Sequence, residues 1–457
     1  MADTVSKHID MTTGSLWRNI PLFAFPVAAT SILEQLSNLI ATVIIGNFSG
    51  DQGTLAMAAV GSNVPLTSLM LNLFIGMSLG SNVVIANAIG RNDQNMVKRA
   101  VHTSILMALV GFVVIALGEI FAEPMLAALN VPAETMPLAS LYLRVFLLSM
   151  PSILLYNFEA AIFRSIGDTK VPLAALAVSG VLNVLLNLFF VIVLHMTVNG
   201  VAIATVAANA VSAALLYVRL TRTDKCVRVE RKALRIDGAS LKRILSIGLP
   251  AGVQSAVFSF ANIVIQSAIN SLGTVVMAAS SAAFNIEIIA YDVLNSFSQA
   301  CTTFVGQNYG AGQIDRCRKA LKLCLIESVI ATACAVCIAL LSGKYLIALF
   351  NNDPEVIRLG MVRLKFIFMS YIFSTIYDCM SGYMRGFGIS LTPALLTIFG
   401  VCGTRIIWIY TVFPASQTFE TIMQVYPISL AINMVLIFCA LIITRPSKRY
   451  DHVVLDS

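Results

Sequence analysis

Apolar stretches of about 20 residues follow one another along nearly the whole 457-residue chain. This length is what a helix needs to cross a bilayer, where only helices and closed barrels satisfy their backbone hydrogen bonds. Leu, Ile, Val, Ala and Phe run together without the alternation typical of barrel strands, which favours helices. Only 12% of the residues are charged, against about 25% in soluble domains. We therefore expect an all-α integral membrane protein.

Twelve such stretches, separated by short polar turns, predict twelve transmembrane helices. Their approximate bounds are 18–46, 56–88, 100–121, 138–162, 172–195, 200–220, 243–269, 279–306, 320–342, 357–383, 393–414 and 423–444. A polar linker divides them into two groups of six, which predicts two six-helix lobes. We assign residues 1–220 to the N-terminal lobe, 221–242 to the linker and 243–457 to the C-terminal lobe.

The region from Arg219 to Arg243 contains nine basic residues and three acids. If this linker is cytoplasmic, 24 of the 30 Lys and Arg residues lie on its side of the membrane, as the positive-inside rule requires. Both termini are then cytoplasmic too, and we expect a multi-pass protein of the cell membrane. A solvated connector near anionic lipid headgroups accounts for the basic charge, so membrane lipids are expected as partners and nucleic acid is not.

The two halves share landmarks at a nearly constant separation. The matched pairs are Pro26 and Pro250, Gly90 and Gly310, Arg164 and Arg385, Gly167 and Gly388, and Pro172 and Pro393, which are 224, 220, 221, 221 and 221 positions apart. Six spans per half make each half enter and leave on the same side, so the repeat is parallel, with its pseudo-twofold axis along the membrane normal. Parallel repeats around a central site are a transporter architecture. The paired prolines would kink their helices.

Motifs of common hydrolases and nucleotide-binding enzymes are missing, among them G-x-S-x-G, H-E-x-x-H and G-x-x-x-x-G-K-[ST]. Cys334 and Cys337 form a C-x-x-C inside an apolar stretch, where packing is expected rather than redox chemistry or metal binding. We expect a protein that is not an enzyme and that uses no cofactor or metal. The polar first 14 residues, with no cleavage pattern in the following span, do not predict a removed signal peptide.

Several short segments together carry a family resemblance. They are Gly306–Gly312 with the sequence GQNYGAG, Arg164–Asp168 with Pro172, the matching segment around Arg385, and Leu36-x-Asn38 running to Gly46. With these segments the chain resembles, over essentially its whole length, the multidrug and toxic compound extrusion (MATE) family of cation-coupled antiporters. The resemblance implies two lobes in a V shape that export amphipathic, often cationic compounds in exchange for Na⁺ or H⁺.

Two positions depart from the family pattern. Similar proteins usually carry an Asp five residues before the Gly that ends the first span, where this chain has Ala41. Many also carry Asn-x-x-x-Asp in the fifth span, where this chain has Asn183 and Asn187. The acids often assigned to cation coupling are thus missing at their usual places, and the coupling mechanism does not carry over directly.

Glu34 is the candidate replacement for the missing acid, because ionisable groups inside spans cost a few kcal/mol each and therefore suggest a function. It precedes Ala41 by seven residues, which is about 10 Å along the helix and nearly on the same face. Asn38 lies one turn beyond Glu34 and adds a polar ligand. Gln35 is a candidate for the substrate cavity. A permanent hydrogen bond between helices is the structural alternative for Glu34.

Asn183 and Asn187 are four residues apart and share one face of the fifth span. Amide oxygens suit Na⁺ because hard cations take oxygen ligands, whereas amides cannot exchange a proton. Hydrogen bonding between helices is the alternative role. We assign Glu34, Asn38, Asn183 and Asn187 to cation or proton coupling, with H⁺ or Na⁺ as the coupling ion.

Glu287 and Asp292 in the eighth span are the second-half candidates for the substrate cavity. They are five residues apart and therefore roughly 140° apart around the helix, so they cannot face the same point. We favour Glu287 as the residue that attracts a cationic substrate.

Three further ionisable residues lie within spans. Glu159 and Asp378 are close to cytoplasmic helix ends, where a gate or a structural pair with a nearby arginine is expected. Arg405 lies in the middle of the eleventh span and needs a carboxylate or carbonyl groups as partners. A static bridge between helices is the leading interpretation of Arg405.

The predicted function is secondary active efflux of organic cations or amphipathic compounds by alternating access, carried out by a monomer. One alternative is a flippase for a lipid-linked precursor from the same superfamily, which would require extra spans or a strongly cationic cavity. The other is a membrane-embedded enzyme, which would require a convergent nucleophile and base or a metal cluster.

Overall fold

A computed structural model describes residues 9–48, 53–128 and 131–449, and every regular element within these ranges is helical. In chain order the helices are α1 (Leu16–Phe48), α2 (Gly53–Gly90), α3 (Gln94–Met107), α4 (Val110–Ala128), α5 (Met136–Leu147), α6 (Met150–Ser165), α7 (Lys170–Leu188), α8 (Val198–Arg222), α9 (Gly238–Asn270), α10 (Thr274–Gly310), α11 (Ile314–Ala348), α12 (Pro354–Gly386), α13 (Leu391–Thr397), α14 (Thr404–Thr411), α15 (Phe413–Ser416), α16 (Phe419–Thr444) and α17 (Pro446–Arg449). Two π-helical segments, Phe189–Val193 and Ile398–Gly403, follow α7 and α13.

The predicted layout of twelve helices in two lobes is confirmed. Within the described ranges, ten helical units are long and apolar enough to cross a bilayer, and α5 with α6, which meet at a bend of 45°, make an eleventh. The twelfth is α12, whose 33 residues include many polar side chains. Many of these are buried, because α12 packs between α10, α11 and α16 inside the C-terminal lobe.

Four of the spans are interrupted, which the apolar pattern did not predict. The third span breaks between α3 and α4, and the fourth bends between α5 and α6, where Pro151 occupies the first turn of α6. The fifth and eleventh spans contain the π-helical segments, a local geometry that is frequent at functional sites. Pro26 and Pro250, in contrast, lie inside the continuous helices α1 and α9.

Two of the hydrophobic cores follow the division into two halves, whereas a third joins α1 to α10, α11 and α12 of the other half. Buried residues between Ile44 and Ile247 form one core, and those between Ile265 and Tyr426 form another. The lobes meet where α1 packs against α10 and where α2 packs against α9 and α10. Glycines permit this approach: a Cβ on Gly76 of α2 would lie 2.2 Å from the Cα of Gly252 on α9. The residue bounds of the lobes stay a prediction, since Ile247 at the start of α9 packs in the first core.

Two hydrogen bonds between the lobes reflect the pseudo-twofold repeat. The Asn87 amide on α2 donates to the Gly386 carbonyl at the end of α12, with an N–O distance of 3.3 Å. The Gln307 amide on α10 donates to the Ser165 carbonyl at the end of α6, with an N–O distance of 2.5 Å. The pseudo-twofold repeat relates one bond to the other, because the two donor residues are 220 positions apart and the two acceptor residues are 221 positions apart. They join the lobes at what we call the linker end, formed by the C-terminal ends of α2, α6, α10 and α12.

Candidate functional site

Glu34 projects from α1 into the cleft between the lobes. Its side chain is exposed to solvent, yet protein surrounds it on several sides, because α1 packs against α7 of its own lobe and α10 of the other. Arg164 of α6 lies close enough to attract the Glu34 carboxylate, and the Tyr156 hydroxyl on the same helix is also nearby. The sequence candidate for cation coupling therefore lies in a polar, open part of the interface.

Asp292 approaches Glu34 from the C-terminal lobe. The two carboxylates are close enough for their charges to repel, and one Asp292 oxygen is buried with no hydrogen-bond partner among the described residues. Arg164 extends the polar group across the interface by donating to Gln299 Oε1 of α10 at 2.9 Å. Two acids from different lobes thus face one cleft, an arrangement that attracts a cation.

Asn38 and Gln35 share the α1 segment with Glu34. Asn38 is exposed and Gln35 is partly exposed, and the Asn38 carbonyl accepts a hydrogen bond from the Thr42 hydroxyl. Ser37 lies against α7, where a Cβ on Gly180 would be 3.1 Å from the Ser37 Oγ. This close approach places the Glu34 segment beside the helix that carries the two asparagines.

Asn183 and Asn187 bond to each other within α7. The Asn187 amide nitrogen donates to Asn183 Oδ1 at 2.9 Å, and both side chains are buried. Asn187 Oδ1 is a buried acceptor without a partner in the described ranges. A buried amide oxygen of this kind is available to a cation or a hydroxyl, so the predicted role in coupling stays a prediction that the geometry permits.

Glu287 is held by Arg363 of α12. The guanidinium donates to both carboxylate oxygens, with N–O distances of 2.9 and 2.7 Å, and to Ser280 Oγ at 2.7 Å. The Tyr371 hydroxyl donates to the Glu287 carbonyl. The charge of Glu287 is therefore already neutralised in this conformation, and contact with a cationic substrate would require Arg363 to release it. Glu287 and Asp292 point to different neighbours, as their spacing predicts.

Glu159 and Asp378 are both buried but differ in their surroundings. Both Glu159 oxygens lack a hydrogen-bond partner in the part of the chain that is described, and Arg164, its expected partner, bonds to Gln299 instead. Asp378 accepts a hydrogen bond of 3.4 Å from Ser374 and lies close enough to Arg385 for attraction. The predicted roles as gate or structural residues remain predictions.

Arg405 connects three helices of the C-terminal lobe. It donates to Asn262 of α9 at 2.9 Å and to Ser429 of α16 at 3.3 Å. Its guanidinium also lies over the rings of Phe258 and Tyr426, 4.9 and 4.5 Å from their centroids. An amide, a hydroxyl and two aromatic faces thus take the place of the carboxylate that the sequence led us to consider.

Three important residues were not identified from the sequence. Arg363 was not identified because it lies in the polar first half of α12 close to Arg358 and Lys365, although a basic residue within a span often has a buried partner. Gln299 carries no charge and gives no such signal, and Gln307 was noted only as part of the GQNYGAG segment. No group of three His, Cys, Asp or Glu side chains that could hold a metal occurs in the described ranges.

Comparisons with known proteins identify the family. A model of the MatE family matches residues 26–189 and 250–411, one segment in each half of the chain. The probable multidrug resistance protein YoeA of Bacillus subtilis is 25% identical over 93% of each chain. An FAD transporter of Shewanella oneidensis is 26% identical over 74% of this chain and 77% of its own.

A solved structure with the same fold is an outward-facing multidrug resistance MATE transporter of the MOP superfamily. It superposes with a TM-score of 0.87 over 98% of this chain and 100% of that chain, at 19% identity. This match supports the helical layout described above. Because the family model covers most of the chain and matches both halves, the chain belongs to the MatE family and is a membrane transporter rather than an enzyme.

Proposed function

We propose that the protein exports organic cations or related amphipathic compounds in exchange for H⁺ or Na⁺ by alternating access. Membership in the MatE family makes it a transporter of the multidrug efflux class, and the proposal adds the charge of the substrate and the coupling. The observation that carries it is the Glu34 carboxylate, which is exposed in the cleft between the lobes and faced by Asp292 from the other lobe.

Coupling follows from competition for these carboxylates. Two like charges close together in a partly enclosed site are costly when both are ionised and unpaired. A cationic substrate and a coupling cation each relieve that repulsion, so the cleft favours holding one of them. Exchange results if the lobes rearrange readily only when a cation is bound.

The two coupling ions require different ligands. For H⁺, the carboxylate of Glu34 or of Asp292 can carry the exchanged proton, since the amides of Asn183 and Asn187 cannot titrate. For Na⁺, amide oxygens beside α1 complete an oxygen-rich site. Replacing Asn187 is therefore expected to matter more for Na⁺ coupling than for H⁺ coupling.

We further propose that the protein works as a monomer in the cell membrane with its linker and both termini in the cytoplasm. The distribution of basic residues supports this orientation. With the linker inside, the contacts at the linker end close the described conformation toward the cytoplasm.

The test measures efflux of a fluorescent organic cation from proteoliposomes under separate H⁺ and Na⁺ gradients. The orientation of the reconstituted protein is determined from the access of an impermeant maleimide to Cys226, an exposed thiol in the linker. We expect one gradient to drive efflux in the wild type. Glu34→Gln should abolish that drive, because the amide keeps the shape of the side chain but lacks the charge for which the substrate and the coupling cation compete.

Glu123→Gln is the matched control, since Glu123 is exposed and pairs with Arg144. Wild-type transport by Glu34→Gln would make Glu34 structural and move coupling to the asparagines or the C-terminal acids. Export of FAD is measured in parallel as an alternative substrate, because one relative is named an FAD transporter. Absence of cation efflux under both gradients would favour the lipid-linked precursor flippase instead.

A further inference from the structure

A basic cavity lies between the linker and the first turns of α3, outside the cleft. Its volume is about 610 Å³. Its polar lining consists of Asn95, Lys98, Arg99, His102, Lys232 and Arg235. Four cationic side chains therefore converge on one concave surface whose lining contains no acid.

Specific contacts hold the linker in place around this cavity. The Lys98 ammonium bonds to the Glu230 carboxylate at 2.8 Å, and the Glu230 backbone N–H donates to His102 Nε2 at 3.1 Å. Further along, the Asp237 N–H donates to Thr103 Oγ1 at 3.0 Å. Because the linker residue Val229 is also buried, the cavity is formed before any ligand arrives.

The two nearby acids neutralise only part of the cavity, because Glu230 pairs with Lys98 at 2.8 Å and Asp237 pairs with Arg99 at 3.9 Å. The Glu230 carboxylate accepts a hydrogen bond from Lys98, which holds the pKa of Glu230 below its ordinary value. The Asp237 side chain accepts hydrogen bonds from Ser240 at the start of α9, which lowers the pKa of Asp237. Lys232 and Arg235 form no ion pair with any residue in the described ranges. The positive-inside rule explains why basic residues are numerous here, but not why four of them line one preformed cavity.

We propose that this cavity binds a phosphate-bearing anion, either the headgroup of an anionic phospholipid or a soluble phosphate compound. Lys and Arg form their strongest hydrogen bonds with phosphate oxygens, and the Asn95 amide adds a neutral donor. Basic pockets beside transmembrane helices on the cytoplasmic side are suited to acidic headgroups. Ile236 is 56% exposed next to Arg235, so an apolar side chain is available to an acyl chain.

The first measurement is calorimetric titration of the detergent-purified full-length protein with inorganic pyrophosphate. The double variant Lys232→Gln/Arg235→Gln removes two exposed charges that have no ion-pair partner, so the fold should persist. We expect it to weaken pyrophosphate binding about tenfold or more. Arg222→Gln/Lys242→Gln removes the same charge from exposed positions outside the cavity and should bind pyrophosphate like the wild type.

A second variant is designed to strengthen pyrophosphate binding rather than weaken it. Glu230→Gln keeps the side chain's shape but removes the charge that neutralises Lys98. Pyrophosphate binding should therefore tighten, and it should weaken again when NaCl is raised. Unfolding temperatures without anion confirm that each variant remains folded.

An experiment with lipids distinguishes a phospholipid headgroup from a soluble phosphate compound. Thermal unfolding is compared in nanodiscs of phosphatidylglycerol and of phosphatidylcholine for the wild type and both double variants. A stabilisation by phosphatidylglycerol that only Lys232→Gln/Arg235→Gln loses assigns a lipid headgroup, whereas pyrophosphate binding without this lipid effect assigns a soluble ligand. Equal losses in the cavity and control variants, or no effect of either anion on the wild type, would overturn the proposal.

Discussion

In the C-terminal lobe, the Arg363 guanidinium binds the Glu287 carboxylate in place of solvent. Both side chains are less than a tenth exposed, at 8% and 4%. Arg363 is also close to the rings of Phe284 and Tyr426, with centroids 5.7 and 5.8 Å from its Cζ. Such a pair adds little to stability compared with well-packed apolar residues, but losing one partner leaves a buried charge without compensation.

Arg363→Met should therefore destabilise the protein by roughly 3–5 kcal/mol, because it leaves Glu287 buried and unpaired. The double variant Glu287→Met/Arg363→Met should recover most of this loss, since neither charge remains. Unfolding by SDS in mixed micelles measures both changes. A double variant as unstable as the single one would show that packing, rather than the unpaired charge, causes the loss.

The Glu287–Arg363 pair also shows that a sequence can identify a buried acid but not its partner. Glu287 was identified because an acid in an apolar stretch is costly. Its partner lies 76 positions away, and nothing in the local pattern connects the two. Glu34 and Asp292 were likewise found as isolated acids, whereas their meeting across the cleft depends on how α1 and α10 pack.

Among the elements, α2 and α9 form an interface that depends on glycine. A Cβ on Gly76 would meet the α9 backbone at Gly252, with nitrogen and Cα both 2.2 Å away. Backbone atoms cannot rotate aside as a flexible side chain can, so the helices themselves would have to separate. Gly61 on the same helix α2 has open space where its Cβ would be.

Gly76→Ala should thus destabilise the protein by about 1–3 kcal/mol, as overpacking typically does. Gly61→Ala is the matched control and should be neutral or slightly stabilising, because Ala is favoured over Gly in a helix by about 1 kcal/mol. Thermal unfolding in detergent distinguishes the two. Similar behaviour of both variants would mean that α2 and α9 have room to adjust.

The extent of the helices was predictable from the sequence, but the interruptions were not. A membrane-spanning helix can be recognised from its own residues, because it needs only an apolar run of sufficient length. The break between α3 and α4 contains neither glycine nor proline at Ala108 and Leu109. It lies beside the fourth span, where a Cβ on Gly111 would be 2.6 Å from the Pro151 Cα. The two breaks face each other in the fold, and this tertiary contact cannot be recognised from either segment alone.

On the scale of the whole molecule, the repeat has a mechanical consequence. The amides of Asn87 and Gln307 each reach from one lobe to a helix-end carbonyl of the other, at pseudo-equivalent positions. Helix-end carbonyls have no partner within their own helix, so these bonds satisfy groups that would otherwise need water. Opening the linker end requires both bonds to break, and closing it restores them together.

Asn87→Ala/Gln307→Ala should therefore shift the lobes toward conformations that are open at the linker end. Spin labels on Lys170→Cys and Lys319→Cys, both exposed and one in each lobe, report the distance across that end. The exposed cysteines Cys226, Cys334, Cys337 and Cys439 are first replaced by serine. Each lost bond removes about 1 kcal/mol from the closed state, so a detectable population at longer distances is expected.

Asn285→Ala is the matched control, because the Asn285 amide bonds only to the Ser281 carbonyl of its own helix. Its distance distribution should equal that of the wild type. Single variants at Asn87 and Gln307 should each produce part of the shift if the two bonds contribute separately. An unchanged distribution in the double variant would mean that the glycine contacts of α2 with α9 hold the linker end closed without these amides.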